Sequence, residues 1–132
     1  MVVIYIMMNF NFNSTEPIYL QVAEQIEDAI FTGAFKEGEQ IPSTTEVSKR
    51  HHINPATVLK GMNLLVSADL IEKKRGLGMF VKENAHEKVV ARRRESFYQD
   101  YIVNIIQEAK KLKLSEDQLW QLIKRGWEND RT

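Results

Sequence analysis

The stretch PSTTEVSKRHHINPATV, residues 42–58, contains two helix starts separated by a short connection. Residues 43–46 form a capping-box pattern, in which a serine caps the helix and a glutamate returns a bond to the serine backbone. Asn54 and Pro55 start a second helix, because asparagine caps well and proline is tolerated in a first turn. We therefore expect two short helices joined by a tight connection at residues 51–53.

A longer amphipathic helix precedes this pair. Pro17 suits its first turn and Gly33 suits its C-terminal cap. Its apolar residues recur at helical spacing and form one stripe: Ile18, Val22, Ile26, Ala29 and Ile30. We expect residues 34–40 to form a loop.

A small hairpin follows the helix pair. The predicted buried stripe of the helix that starts at Asn54 is Val58, Met62, Leu65 and Val66, and Asp69 stands where this helix ends. Residues 70–73 and 79–81 read as strands, and the glycine-bearing, basic loop 74–78 joins them.

The last third of the chain reads as two helices. A polar joint at residues 83–86 leads into a predicted amphipathic helix at 87–111, and a second capping box at 115–118 starts the last helix. In that last helix we expect four side chains to point inward: Leu119, Leu122, Ile123 and Trp127. Two helices cannot bury both apolar stripes alone, so a partner subunit is the simplest source of the missing layer.

These patterns predict a mainly α fold with a small β-hairpin, namely a winged helix-turn-helix with a short helical dimerisation tail. The expected parts are an extension at 1–13, the DNA-binding domain at 14–83 and the tail at 84–132. The apolar run 1–8 lacks a basic region and is too short to span a bilayer. Translation that starts at Met7 or Met8 and leaves a short upstream extension is an alternative. We expect a cytoplasmic protein with no membrane segment.

The charges are sorted along the chain, although 18 bases balance 18 acids overall. Residues 14–48 carry a net charge of −6, residues 49–82 carry +5, and the remainder carries +1. A local basic block indicates contact with a polyanion, and a solvated surface is the alternative. The absence of cysteine excludes disulfides, thiol catalysis and cysteine-ligated zinc.

A winged helix-turn-helix can place its second helix in a DNA major groove. We expect the start of that helix to face base edges or nearby phosphates through Asn54, Ala56 and Thr57. The hairpin tip would touch the minor groove through Arg75 and Gly76. Four other side chains would hold phosphates: Ser43, Thr44, Lys49 and Lys60. The alternatives are that Ser43 and Asn54 serve only as caps, that Thr57 is partly buried, and that Lys49 and Arg75 are solvated.

Several segments together resemble the GntR-type transcriptional regulators. The resemblance spans about 65 residues without an apparent gap and includes PIYLQV (17–22), IPS (41–43), INPATV (53–58) and RGLGMFV (75–81). The Asn-Pro-x-Thr-Val version and the short tail are similar to the YtrA-type subfamily. The resemblance implies a bacterial homodimer that binds a twofold-related operator on double-stranded DNA and represses a transporter-type operon or its own.

Three positions depart from the family pattern, and one of them is His51, where the family usually has an apolar residue. The family commonly has a DNA-contacting arginine at the position of Thr45, which stays a candidate contact here, and a glycine at that of Asp69. We expect the dimer to form through the tail, by way of Phe97, Tyr101, Ile105 and Leu112.

Other function classes have weaker support. No histidine pairs with a nucleophile at a recognisable spacing, the three histidines do not form a metal-ligand set, and no helix follows the glycines at 76 and 78 as a nucleotide loop requires. We therefore expect no enzyme activity, cofactor or metal. Two alternatives stay open: a regulator switched by a small-molecule effector bound between the tails, and a winged-helix adaptor that binds proteins.

Overall fold

The computed structural model describes residues 8–130. The first seven residues of the predicted extension, with the alternative start Met7, lie outside this part. The chain divides into two compact units, one that ends at Ala91 and one that begins at Arg92. Among the helices of residues 8–130, none combines the length and the apolar content that crossing a bilayer requires.

The first unit contains the helix-turn-helix and a three-stranded sheet. Its elements are α1 (Ile18–Thr32), β1 (Gln40–Ile41), α2 (Thr44–His51), α3 (Pro55–Ser67), β2 (Ile71–Lys74), β3 (Gly78–Val81) and the start of α4 (Ala85–Phe97). The sheet is antiparallel with the order β1-β3-β2, and Gln40 lies opposite Phe80. The predicted mainly α fold with a hairpin is confirmed. The loop prediction was wrong at Gln40, because a two-residue strand is too short to show the alternation by which strands are recognised.

The core lies where α1 crosses α3. Val22, Ile26 and Ile30 of α1 are buried together with Val58, Met62 and Leu65 of α3, and Leu70, Ile71 and Val81 extend the core to the sheet. Gly61 lets the two backbones come close, because a Cβ added there would lie 2.6 Å from the carbonyl oxygen of Tyr19.

Val66 corrects the predicted stripe of α3, since 41% of this residue is exposed. The buried residues of this helix are Val58, Gly61, Met62 and Leu65. Because Gly61 belongs to the packed face, the face is centred further from Val66 than a count of large apolar residues alone suggests.

Helix α4 begins earlier than predicted and belongs in part to the first unit. Its first residue is Ala85, and both Ala85 and Val89 are fully buried in the core of the first unit. The first compact unit therefore includes residues 84–91, the start of the segment predicted as the tail.

Residues 8–11, called the N-terminal strap below, dock on α1. The Gln21 side chain accepts a hydrogen bond from the backbone N–H of Asn11 at 2.8 Å and donates one to its carbonyl at 3.0 Å. Gln25 makes the same pair of bonds with the backbone of Asn9. Met8 is buried in the core, and Phe10 packs against it.

The second unit contains the end of α4, a π-helical segment (Tyr98–Ile102), α5 (Val103–Lys111) and α6 (Glu116–Asn129). The capping box that starts α6 is confirmed, since Ser115 and Gln118 exchange both bonds. The expectation that the apolar side chains of α6 point inward was wrong for the single chain, since Leu122, Ile123 and Trp127 are exposed and Leu119 is half-buried. The reason is that the other helical segments of the second unit offer α6 too little surface to cover its apolar stripe.

Candidate DNA-binding surface

The start of α2 presents hydroxyl and N–H groups in a fixed arrangement. Ser43 Oγ accepts a hydrogen bond from the Glu46 N–H at 3.1 Å, and Glu46 Oε1 accepts one from the Ser43 N–H at 3.2 Å. This cap leaves the Ser43 hydroxyl proton available to a phosphate. Thr45 is exposed and Thr44 is half-buried in the first turn, where backbone N–H groups have no partner within the helix.

The turn between α2 and α3 is held by Ser48 and Ile53. The Ile53 N–H donates to the Ser48 carbonyl at 3.1 Å, and the Ser48 hydroxyl donates to the Ile53 carbonyl at 2.6 Å. His52 turns the chain with a left-handed φ of 55°. These bonds fix where α3 starts relative to α2.

The start of α3 is exposed, as a helix that enters a groove requires. Asn54 Oδ1 accepts a hydrogen bond from the Ala56 N–H at 2.8 Å, so the carbonyl half of this amide serves as the cap. The Nδ2 half keeps two protons that can be donated to a base or a phosphate. Ala56 is exposed and Thr57 is half-buried, which agrees with the alternative reading of Thr57.

Lys60 does not extend freely from α3. Its ammonium nitrogen lies 4.0 Å from the centre of the Tyr19 ring of α1. A cation over an aromatic face is attracted by the electrons of the ring, so Tyr19 restricts the positions of this charge. The side chain is exposed and keeps its three donors.

The hairpin of β2 and β3, called the wing below, ends in a tight turn. The Leu77 N–H donates to the Lys74 carbonyl at 2.9 Å, and Gly76 has a φ of +76°, which side chains rarely adopt. Arg75 at the tip and Leu77 beside it are exposed. The backbone at Gly76 can therefore approach another molecule closely, with the Arg75 charge beside it.

The basic segment 49–82 is partly neutralised within the fold. Lys82, together with Lys88 of α4, forms ion pairs with Asp69. The hydrogen bond from Lys82, with that from Lys88, lowers the pKa of Asp69 to about 2. Lys74 faces Glu72 at 4.0 Å. Arg75 is exposed on the wing, and so is Lys49 in the last turn of α2.

Asp69 occupies a left-handed position, with a φ of 63°. The family resemblance implies glycine at this position. The two lysine partners provide a physical reason why aspartate is accommodated after the end of α3.

His51 is half-buried in the first unit, with one ring nitrogen turned away from solvent. Its Nε2 is buried without a hydrogen-bond partner among the described residues, and its ring meets the Phe10 ring edge-on at 4.9 Å. Burial, followed by the charge of Arg50 and the proximity of His52, lowers the pKa of His51. Within residues 8–130, no group of three or more potential ligand side chains could hold a metal ion.

Two residues of this surface were not identified as site residues from the sequence. Tyr19 lies under Lys60, and the Gln40 side chain donates to the Leu77 carbonyl at 2.8 Å. Both contacts join residues about 40 positions apart in the chain, and no local pattern reports such a pair. The only signal was that Tyr19 falls within the PIYLQV segment of the family resemblance.

The predicted dimer residues lie in the second unit and are exposed in the single chain. They are Phe97, Tyr101, Ile105 and Leu112. The Phe97 and Tyr101 rings are in contact, with centres 5.5 Å apart. An exposed apolar patch of this kind favours contact with another protein surface.

Comparison with known proteins agrees with this geometry. Residues 18–81 match the family described as bacterial regulatory proteins, gntR family. The uncharacterized HTH-type transcriptional regulator YhcF of Bacillus subtilis is 26% identical over 117 residues, which cover 89% of this chain and 95% of YhcF. The HTH-type transcriptional repressor YtrA of B. subtilis is 33% identical over 84 residues, 64% of this chain and 65% of YtrA.

A solved structure shows the same fold over most of the chain. A GntR-family regulator from Bacteroides thetaiotaomicron superposes with a TM-score of 0.72 at 28% identity, covering 86% of this chain and all of the other. The relatives are transcriptional regulators rather than enzymes, as expected. Residues 18–81 therefore form a helix-turn-helix domain of the gntR family of bacterial regulatory proteins.

Proposed function

We propose that this protein is a homodimeric repressor that binds a specific, twofold-related operator in bacterial DNA. The observation that carries the proposal is the family helix-turn-helix, in which the start of α3 is exposed beside a basic wing. The relative YtrA, which is named as a repressor, supports the direction of regulation. A transporter-type operon or the regulator's own operon is the expected target, and the cytoplasm is the expected location.

In this proposal α3 enters the major groove and reads base edges near its start. Asn54 donates from its free Nδ2, while Ala56 and Thr57 contact base edges or nearby phosphates. The phosphate backbone is held by Ser43, Thr44, Thr45, Lys49 and Lys60, and the wing touches the minor groove through Arg75 and Gly76. Threonine at position 45 supplies a neutral hydroxyl contact where the family commonly has an arginine.

The proposed dimer forms through the tail, residues 84–132. Its exposed apolar side chains, among them Phe97, Tyr101, Ile105 and Leu112, need a covering surface. A second copy provides one and places two α3 helices at a defined separation. The operator is therefore expected to contain two inverted half-sites, since operator symmetry mirrors protein symmetry.

The test is selection of bound sites from a random duplex pool by the purified full chain at physiological salt. We expect an inverted repeat in the recovered sequences. The protein with Asn54, Lys60 and Arg75 all replaced by alanine is the control and should recover no motif. If the unaltered protein recovers only unrelated sequences, the proposal of specific operator binding is wrong.

Control by a small-molecule effector stays a separate hypothesis. An effector that binds the folded protein raises the unfolding temperature with ligand concentration. A thermal-shift screen of small metabolites, followed by operator binding with each hit, tests it. A hit that changes operator affinity supports this hypothesis, and a screen without such a hit favours a repressor that acts unliganded.

A further inference from the structure

The wing turn is held by a side chain from a distant strand. Gln40 lies on β1, and its amide nitrogen donates to the backbone carbonyl of Leu77 at 2.8 Å, across 37 positions of sequence. Within the turn itself the Leu77 N–H bonds to the Lys74 carbonyl. The Leu77 peptide is thus held from within the wing and from β1.

The backbone pairing of β1 does not reach the turn. It comprises two residue pairs, Gln40 with Phe80 and Ile41 with Met79. A two-stranded hairpin is only marginally stable without a third strand, so the wing depends on what β1 adds. The Gln40 side chain carries the contact of β1 beyond Met79 to Leu77, next to the tip.

Gly78 makes room for this contact. A Cβ added at Gly78 would lie 2.6 Å from the Gln40 amide nitrogen. The φ of Gly78 is also +124°, a value that side chains rarely adopt. The missing side chain of Gly78 therefore leaves the space that the Gln40 amide needs to donate its hydrogen bond.

We propose that Gln40 is a positioning residue for DNA binding, which holds the wing turn so that Arg75 and Gly76 are presented in one arrangement. The inference rests on the proposed wing contact. Gln40 does not need to touch DNA. It acts by ordering the turn before binding, so that less conformational freedom is lost when the wing meets the groove.

The first experiment compares Gln40→Met, Arg75→Ala and the double variant of the full chain by fluorescence anisotropy on the selected operator. Methionine keeps the length of glutamine and removes the donor. We expect Gln40→Met to weaken binding about 3- to 10-fold, the range that corresponds to one hydrogen bond. In the Arg75→Ala background the same change should have a clearly smaller effect, because one of the two groups that Gln40 positions is already gone.

Gln121→Met is the matched control. Gln121 is an exposed glutamine whose amide donates to Asp117 Oδ2 at 3.2 Å in the second unit. Its replacement should leave operator affinity unchanged, and all variants should unfold at nearly the same temperature as the original protein.

A second measurement does not depend on DNA. The backbone ¹⁵N order parameters of Arg75 and Gly76 in the DNA-free protein should fall in Gln40→Met and not in Gln121→Met. Unchanged order parameters overturn the inference, since the turn is then held without Gln40.

The outcomes separate this inference from the proposed function. If Arg75→Ala weakens binding but Gln40→Met does not, or if the two losses add in full, the wing contact stands and the role of Gln40 is wrong. If Arg75→Ala has no effect while Asn54→Asp weakens binding, α3 reads the operator and the wing contact, with the inference built on it, is overturned.

Discussion

Asn54 combines two tasks in one side chain, and they can be separated. Oδ1 caps α3 by accepting a hydrogen bond from the Ala56 N–H, whereas the cap does not use Nδ2. We predict that Asn54→Asp keeps the cap and weakens operator binding, because the amide donor becomes an anion facing a polyanion. Asn54→Ala should weaken binding and also lower the free energy of unfolding by about 1 kcal/mol. Urea denaturation and anisotropy titrations on the same samples check both.

A result with equal binding by Asn54→Asp and the original protein would contradict the proposed role of this amide. Thr57→Ala is the comparison within the same turn. Since Thr57 is half-buried, its change should affect stability more than Asn54→Asp does.

Asp69 predicts a pH dependence with a definite sign. Hydrogen bonds from Lys82 and Lys88 lower the pKa of its carboxyl from 3.8 to about 2. A depressed pKa in the folded state means that the ionised carboxylate stabilises the fold above about pH 4, and that this contribution is lost as the pH falls toward 2.

We therefore predict that Asp69→Asn is less stable than the original protein at neutral pH and that the difference shrinks between pH 4 and pH 2. Urea denaturation at several pH values measures it. The effect should also shrink at high salt, because the group is exposed and screened. A difference that stays constant from pH 7 to pH 2 would assign the effect to the backbone of residue 69 instead.

At the scale of elements, the crossing of α1 over α3 depends on one glycine. Alanine at position 61 would place its Cβ against the Tyr19 carbonyl oxygen, a backbone atom that cannot turn away. We predict that Gly61→Ala lowers the free energy of unfolding by about 1–3 kcal/mol, the usual cost of overpacking a core. Urea denaturation is the measurement.

Gly126→Ala is the matched control, because Gly126 also lies in a helix and has no atom within 4 Å of an added Cβ. Alanine should stabilise α6 there by roughly 0.5–1 kcal/mol, since glycine is a poor helix former. If both variants behave alike, the close approach of α1 and α3 is not what Gly61 provides.

The caps show how far sequence reasoning reaches at this scale. Ser43, Asn54 and Ser115 begin their helices as predicted, because a cap depends on a few neighbouring residues. Val66 and Gln40 were misread, since burial and short-strand pairing depend on residues far along the chain. The π-helical segment at Tyr98–Ile102 has no local signal at all.

The same difference between local and long-range signals applies to the candidate DNA surface. Its members at 43–45, 54–57 and the wing tip follow from helix starts, a turn and the family resemblance. The contacts that hold the surface in shape do not follow from such local signals, because they join distant segments of the chain. They are Lys60 with Tyr19, Lys82 with Asp69 and Gln40 with Leu77. They require the folded chain.

At the scale of the whole molecule, the apolar tail predicts an assembly. We predict that Ile105→Glu, which places a charge in the exposed apolar patch, yields a monomer with weakened operator affinity, because two half-sites are no longer bound together. Gln107→Glu on the same helix is the control for added charge. Sedimentation equilibrium gives the mass, and a monomer that still binds the full operator as tightly would contradict the proposed role of the tail.

Salt dependence tests the whole contact surface. If about four phosphates are neutralised per subunit of a dimer, the logarithm of the association constant should fall against the logarithm of salt concentration with a slope near −7. Lys60→Ala should weaken binding to matched and scrambled sites alike and make the slope shallower by about 2, since each of the two subunits loses one phosphate contact. Anisotropy titrations at several salt concentrations measure it, and a slope weaker than about −3 would contradict the contact model.

The N-terminal strap has a consequence for which substitutions this sequence tolerates in evolution. Four residues of helix advance roughly 6 Å and two residues of an extended chain roughly 6.6 Å, so Gln21 and Gln25 match positions 9 and 11 in spacing. They bond only to the main chain there. Inherited changes at position 9 should therefore accumulate almost silently, because the contact uses only the backbone there. The two glutamines that make the contact should persist.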